Sequence, residues 1–190
     1  MKHSIFAIEL CLRLEPRSVL RSDLRQLVMS HPASTSPERK TNLLREISGL
    51  LLESQDLFEM GCWDFFDDDS RALSDYDMWC KGMTTEEGAR PQPSGAPGER
   101  DGEPRFMTFT ISLLLVAGSP CEKYIAALCA TPKDQLWKKA TFLKILKGLD
   151  RVDFAGVKSD VLYLIPGDEE WGLTSGDLKH PKFEYLRQIA

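Results

Sequence analysis

Three arginines near the start of this 190-residue chain have the spacing of an anion site. Arg17, Arg21 and Arg25 are four residues apart, so a helix would place their guanidinium groups on one side. Such a stripe can hold a phosphate or a carboxylate, because each guanidinium donates paired N–H groups. The same spacing is typical of the solvated face of an amphipathic helix, and this is the interpretation that we favour.

Polar residues at alternate positions of two predicted strands form a second candidate site. Successive side chains of a strand point to opposite faces, so these residues would share one face of a sheet. A face of mixed polarity suits a ligand, a protein partner or a second copy of the chain. The alternative is that the C-terminal tail and the 67–83 segment cover it. The predicted polar face consists of Glu9, Cys11, Arg13, Thr108, Thr110 and Ser112.

The remaining reactive residues lack the spacing of a known catalytic or metal site. An acidic cluster could offer oxygen ligands to a hard cation, but it lacks the glycine and the spacing of an EF-hand loop. A solvated turn before a helix N-terminus explains this cluster better. We therefore expect no catalytic residue, no metal and no cofactor. The cluster is Asp64, Asp67, Asp68 and Asp69.

Composition narrows the environment in which the protein works. A net charge of −5 argues against nucleic acid and anionic membranes, which attract clustered Lys and Arg. Apolar stretches fall short of the roughly 20 residues of a membrane span. Five cysteines without a C-x-x-C pair are typical of reduced thiols. We expect a cytoplasmic protein that binds no nucleic acid and does not insert into a membrane.

The predicted elements occur twice in the same order. Hydrophobic periodicity predicts a strand at 4–14, helices at 17–30 and from 36 onward, and a strand at 57–66. The second half repeats this order, with Ser–Pro steps that open helices in both halves. Its elements are a strand at 106–117, helices that open at 119 and 131, and a strand at 157–165.

The segment between the halves has a different composition. A short helix is predicted at 71–81, and the stretch at about 84–104 is rich in Gly, Pro, Glu and Arg. Without large apolar side chains, that stretch is predicted to be a disordered insertion in a single domain spanning 1–190. The order β-αα-β-(insert)-β-αα-β predicts a ferredoxin-like α+β sandwich, with helices on one face of an antiparallel sheet.

Several motifs resemble those of a known family. They are residues 109–117 (FTISLLLVA), 160–166 (DVLYLIP) and 173–178 (LTSGDL), followed by Pro181 and Tyr185. With the 50–61 and 74–87 regions, they resemble a family of cyanobacterial and chloroplast proteins catalogued as domain of unknown function number 1517. These apolar and turn residues mark a fold, and the resemblance implies no catalytic residue. Family members often carry a hydrophobic membrane segment upstream that this sequence lacks.

The lack of recognisable chemistry favours a non-enzymatic protein-interaction or regulatory module. In this hypothesis the polar face engages a protein partner or a second copy of the chain. The alternative is an enzyme of unrecognised class with a pocket at the same face, because a fold does not fix a function. A concave pocket with several converging ionisable groups would favour the enzyme.

Overall fold

A five-stranded antiparallel sheet and five α-helices form the part of the chain that the computed structural model describes. That part comprises residues 2–15, 18–30, 36–84, 103–166 and 172–190. Most of the predicted insertion at about 84–104 therefore lies outside the described residues, as does Arg17. The elements are β1 (His3–Leu14), α1 (Leu20–Met29), α2 (Pro37–Glu53), β2 (Phe58–Phe66), α3 (Asp69–Thr84), β3 (Arg105–Val116), α4 (Pro120–Cys129), α5 (Lys139–Leu149), β4 (Val157–Ile165) and β5 (Arg187–Gln188).

Local sequence accounts for where most helices begin. The Ser36 hydroxyl accepts a hydrogen bond from the Arg39 amide at the start of α2, and Ser119 accepts one from Glu122 at the start of α4. Both predicted Ser–Pro starts are confirmed. The helix predicted to open at 131 is instead a short 3-10 turn followed by α5. The two are separate because Lys138 is extended, with φ −77° and ψ 137°.

The α+β class and the antiparallel sheet are confirmed, but the ferredoxin-like arrangement is not. The strand order is β4-β3-β1-β2-β5, so β1 lies directly beside β2, and β3 beside β4. In a ferredoxin-like unit, one crossover helix makes successive strands parallel and leaves room for another strand between them. Here two helices return the chain to the end of the sheet at which the preceding strand finished, so the next strand pairs antiparallel with it.

The two faces of the sheet are covered by different elements. Four helices, α1, α2, α4 and α5, pack on the apolar face predicted from β1 and β3. The opposite face carries α3 at one end, where Ala72 and Tyr76 contact Ile5. At its other end the C-terminal tail, residues 172–190, packs through Phe183 and Leu186. Of the two alternatives for this second face, open or covered by the tail and the 67–83 segment, the structure shows the covered one, and α3 is the one described helix that packs there. None of the helices in the described ranges is long and apolar enough to cross a membrane.

The two halves are related by an approximate twofold axis through the centre of the sheet. Glu9 on β1 pairs with Thr110 on β3, and the neighbours of this pair are Cys62 on β2 and Tyr163 on β4. The number of residues between Glu9 and Thr110 equals the number between Cys62 and Tyr163, as expected when one half of the sheet repeats the other. The segments that follow the two halves, α3 and the tail, cover opposite ends of one face and leave the axis between them.

Two glycine substitutions test this packing with opposite expected signs. A Cβ at Gly61 would lie 2.7 Å from the buried Phe142 ring and 3.1 Å from the Glu9 carbonyl oxygen. We expect Gly61→Ala to lower the free energy of unfolding by about 1–2 kcal/mol, since a packed core resists extra volume. Gly49, inside α2, has nothing within 4 Å of its Cβ position. Gly49→Ala should therefore raise that free energy by about 0.5–1 kcal/mol. Urea unfolding measures both, and equal stability of the two variants would contradict the packing described.

Candidate functional site

A row of side chains crosses the middle of the sheet on the face opposite the four helices. In spatial order it consists of Cys62, Glu9, Thr110 and Tyr163, each on a different strand. Their direction follows from strand alternation, because the flanking Ile8 and Ile111 belong to the core beneath the helices. Ser112 and Thr108 lie on either side of Thr110 on the same face.

Most of the predicted polar face is brought together, but it is not open. Glu9, Thr108, Thr110 and Ser112 are each at most 1% exposed, and Cys11 is also buried. The alternative that the tail covers this face is therefore the arrangement observed, with α3 covering the rest.

Arg13 is the exception among the predicted face residues. It lies near the exposed end of β1, where its Nε is 3.5 Å from a Glu59 carboxylate oxygen. Its side chain is half exposed, so it is separated from the buried polar residues further along the strand.

Glu9 is a buried acid with one strong hydrogen bond. The Tyr185 hydroxyl donates to its Oε2 at 2.7 Å, while Oε1 has no hydrogen-bond partner among the described residues. Burial raises the pKa of Glu9, and the hydroxyls of Tyr185, Thr108 and Thr110 and the Lys182 ammonium oppose that rise. The two threonine hydroxyls lie close enough to influence the carboxyl group, yet neither makes a hydrogen bond of ordinary geometry.

A pocket of about 550 Å³ lies beside Glu9, between α3 and the tail. Its wall combines apolar side chains with a few polar and charged groups from β1, β2, β4, α3 and the tail. Glu9 itself does not line the pocket, but its hydrogen-bond partner Tyr185 does. The lining residues are Ile5, Ala7, Cys62, Asp64, Phe66, Arg71, Asp75, Met78, Tyr163, Lys182 and Tyr185.

The charged groups on the α3 side of the pocket are engaged with one another. Arg71 lies 3.7 Å from the Asp75 carboxylate and stacks over the Phe66 ring, with 4.6 Å from its guanidinium carbon to the ring centre. Asp64 accepts a hydrogen bond from the Phe65 amide, and burial raises the pKa of this carboxyl group.

Lys182, on the tail side, differs from these groups. Its Nζ is buried and has no hydrogen-bond partner among the described residues. Burial lowers the pKa of Lys182, and the nearby Glu9 opposes this effect. An amine in this condition can bind an anionic group that enters the pocket.

The Cys62 thiol, which also lines the pocket, is a poor nucleophile. Burial raises its pKa to about 11, helped by the negative charges of Asp64 and Glu9. Since the thiolate is the reactive form, this side chain behaves as a small neutral wall residue at neutral pH.

The predicted anion stripe is only partly described. Arg21 donates a hydrogen bond to the Pro166 carbonyl at 3.1 Å, which holds α1 against the end of β4. Arg25 lies one turn further along the exposed side of α1, and Arg17 is outside the described residues. A phosphate site on this stripe therefore stays a prediction.

The acidic cluster divides between two roles. Asp68 accepts hydrogen bonds from Ser70, and Asp69 accepts one from the His3 amide at 2.7 Å, so both fix the start of α3. Asp64 alone belongs to the pocket wall. In the described residues, no group of three or more His, Cys, Asp or Glu side chains could hold a metal ion.

Sequence reasoning missed the residues that complete this site. Tyr185 and Lys182 lie in the C-terminal tail. The apolar residues of this tail predict only that it packs against the domain, and Tyr185 is 176 positions from Glu9. Arg71 and Asp75 occur in a predicted short helix with nothing to distinguish them from solvated charges. No local pattern links these residues to Glu9, because the contact depends on how the tail crosses the sheet.

No protein-family model, curated protein or solved structure matches the chain. The resemblance to domain of unknown function number 1517 therefore stays a prediction.

Proposed function

We propose that this protein is a non-enzymatic regulatory module that binds a small molecule in the pocket between α3 and the tail. The observation that carries the proposal is a largely apolar cavity of about 550 Å³ with an unpartnered buried amine in its wall. Cavities of roughly 300–1,000 Å³ with a few well-placed polar groups are typical of small-molecule sites.

The interactions and protonation states of the ionisable groups in and beside the pocket favour binding over catalysis. Glu9 lies behind the wall, and its carboxyl group is held by Tyr185. Arg71 and Asp75 pair with each other, and the Cys62 thiol is protonated at neutral pH. The wall thus supplies contacts for a ligand, and its Cys62 thiol is not an activated nucleophile.

A regulatory role follows from which segments the ligand would touch. The pocket wall joins three strands to α3 and to the tail, so an occupant would stabilise the packing of both covering segments. Met78 lines the pocket and is also 64% exposed, which places a ligand next to a surface that a protein partner would meet. We propose that ligand binding alters recognition of a protein partner on α3.

Cytoplasmic location remains part of the proposal. All five cysteines are free, which suits a reducing compartment. Self-association through the sheet face is no longer favoured, because α3 and the tail cover that face.

An enzyme using this pocket is the second candidate, since ionisable groups with shifted pKa values do converge here. An enzyme would convert the molecule that it binds, whereas a regulatory module would release it unchanged. Native mass spectrometry of gently purified protein, before and after incubation, identifies any bound molecule and whether its mass changes.

Filling the pocket tests the proposed function directly. Ala7 lies in the pocket wall, and Ala7→Phe would place a ring in the cavity. We expect this variant to bind N-phenyl-1-naphthylamine, a neutral apolar dye, roughly tenfold or more weakly than the wild type, as measured by dye fluorescence. Ala127→Phe, on the exposed side of α4, is the control and should bind like the wild type. Unchanged binding by Ala7→Phe, with its circular dichroism intact, would place the dye elsewhere and reject the pocket.

A further inference from the structure

We propose that the pocket selects a monocarboxylic acid with an apolar body, whose carboxylate binds the Lys182 ammonium. This inference rests on the proposed function and adds the chemical class of the ligand. The observation behind it is the contrast between Lys182 and every other charged residue of the wall.

Lys182 has unused donors at a buried position. An ammonium carries three N–H donors, and a buried one without a partner is costly. Its Nζ has no hydrogen-bond partner among the described residues, and the Phe183 ring, 5.9 Å away at its centre, offers only a weak contact. A ligand carboxylate would supply the missing acceptors through short, charge-assisted hydrogen bonds.

The charge already present in the wall limits the ligand to one anionic group. Arg71 is paired with Asp75, so it does not offer a second anion site. Asp64 and Asp75 would repel a second negative charge on the α3 side of the pocket. A dicarboxylate or a phosphate ester is therefore disfavoured relative to a monocarboxylate.

The remaining residues of the pocket wall suit the apolar part of the ligand. Ile5, Ala7, Phe66 and Met78 present carbon surface to the cavity. Removing methylene groups from water is favourable, so a chain or ring beyond the carboxylate gains affinity from these contacts. Acetate and formate, which have no such body, should bind weakly.

Three probes with one chain and different head groups test the inference. Decanoate, decan-1-ol and decylamine are titrated into the wild-type protein at neutral pH, with isothermal titration calorimetry as the readout. We expect decanoate to bind roughly 10- to 100-fold more tightly than decan-1-ol, the range of a charge-assisted hydrogen bond in a buried site. Equal binding of the acid and the alcohol, or tighter binding of the amine, would overturn the carboxylate inference while leaving the pocket in place.

Substitutions test whether the preference for decanoate over decan-1-ol depends on Lys182. Lys182→Met keeps the apolar stem and should lose the preference for decanoate over decan-1-ol, whereas Lys179→Met, at an exposed position of the same tail, should keep it. Because the ammonium is buried without a partner, Lys182→Met should unfold at the same or a higher temperature than the wild type. Lys182→Gln serves as a second variant if Lys182→Met does not fold.

Two outcomes separate this inference from the proposed function. If Lys182→Met retains full decanoate selectivity, the lysine is not the anchor and the inference is wrong. If none of the three probes binds the wild type but the neutral dye still does, the pocket stands and the ligand class is wrong. If the dye also fails to bind, the proposed function fails with it.

Discussion

Replacing Lys40 with methionine is expected to lower the free energy of unfolding by about 3–5 kcal/mol, the usual cost of breaking a buried ion pair. Lys40 reaches from α2 to Asp160 on β4, and the two side chains are 17% and 3% exposed. Asp160 pairs with Leu113 in the sheet and therefore points under the helices. Without the ammonium, its carboxylate would lose this charge-assisted hydrogen bond at a position where it is almost fully buried.

A double variant distinguishes the ion pair from simple loss of packing. Lys40→Met with Asp160→Leu removes both charges, and it should recover much of the lost stability, because an apolar pair often replaces a buried ion pair at little cost. Arg39→Met, one position away and exposed, is the control and should change stability by less than about 0.5 kcal/mol. Urea unfolding of the wild type, Lys40→Met, Asp160→Leu and the double variant completes the cycle. A double variant as unstable as Lys40→Met alone would contradict this account.

Strand periodicity predicted the composition of the buried polar cluster without revealing that it is buried. Alternation in β1 and β3 placed Glu9, Thr108, Thr110 and Ser112 on one face, and the structure brings them together there. Periodicity tells which side chains share a face, because it is a local property of the backbone. What covers that face depends on segments far away in sequence, and here they are α3 and the tail.

Strand order was the least predictable feature of the fold. The sequence predicts the elements and their order along the chain, and these agree closely with the structure for β1 and β4. The pairing of β1 with β2 follows from the number of helices between them, which decides the end of the sheet at which the chain returns. The ferredoxin-like prediction did not take this return of the chain into account, and its strand arrangement is not confirmed.

We expect Glu9→Gln to abolish a pH-dependent decrease in the free energy of unfolding that the wild type shows as pH rises. In the unfolded chain Glu9 titrates near its ordinary value of 4.5, and burial raises its pKa in the folded protein. Between these two pH values the folded protein holds one more proton than the unfolded chain. Wild-type stability should therefore fall by about 1.4 kcal/mol per pH unit from this group, and then level off above the folded-state pKa.

The Glu9→Gln side chain suits the same surroundings without ionising. Its carbonyl oxygen can accept the Tyr185 hydrogen bond, and its amide can donate to the unpartnered Thr108 or Thr110 hydroxyl. The difference in stability between Glu9→Gln and the wild type should thus grow from about pH 4.5 upward, with a plateau that marks the folded-state pKa of Glu9. Urea unfolding at a series of pH values measures it, and Glu46→Gln, exposed on α2, should track the wild type throughout. Parallel curves for Glu9→Gln and the wild type would mean that the carboxyl group beside the pocket titrates as it does in water. That result would contradict the burial of Glu9 beneath Tyr185 and the tail.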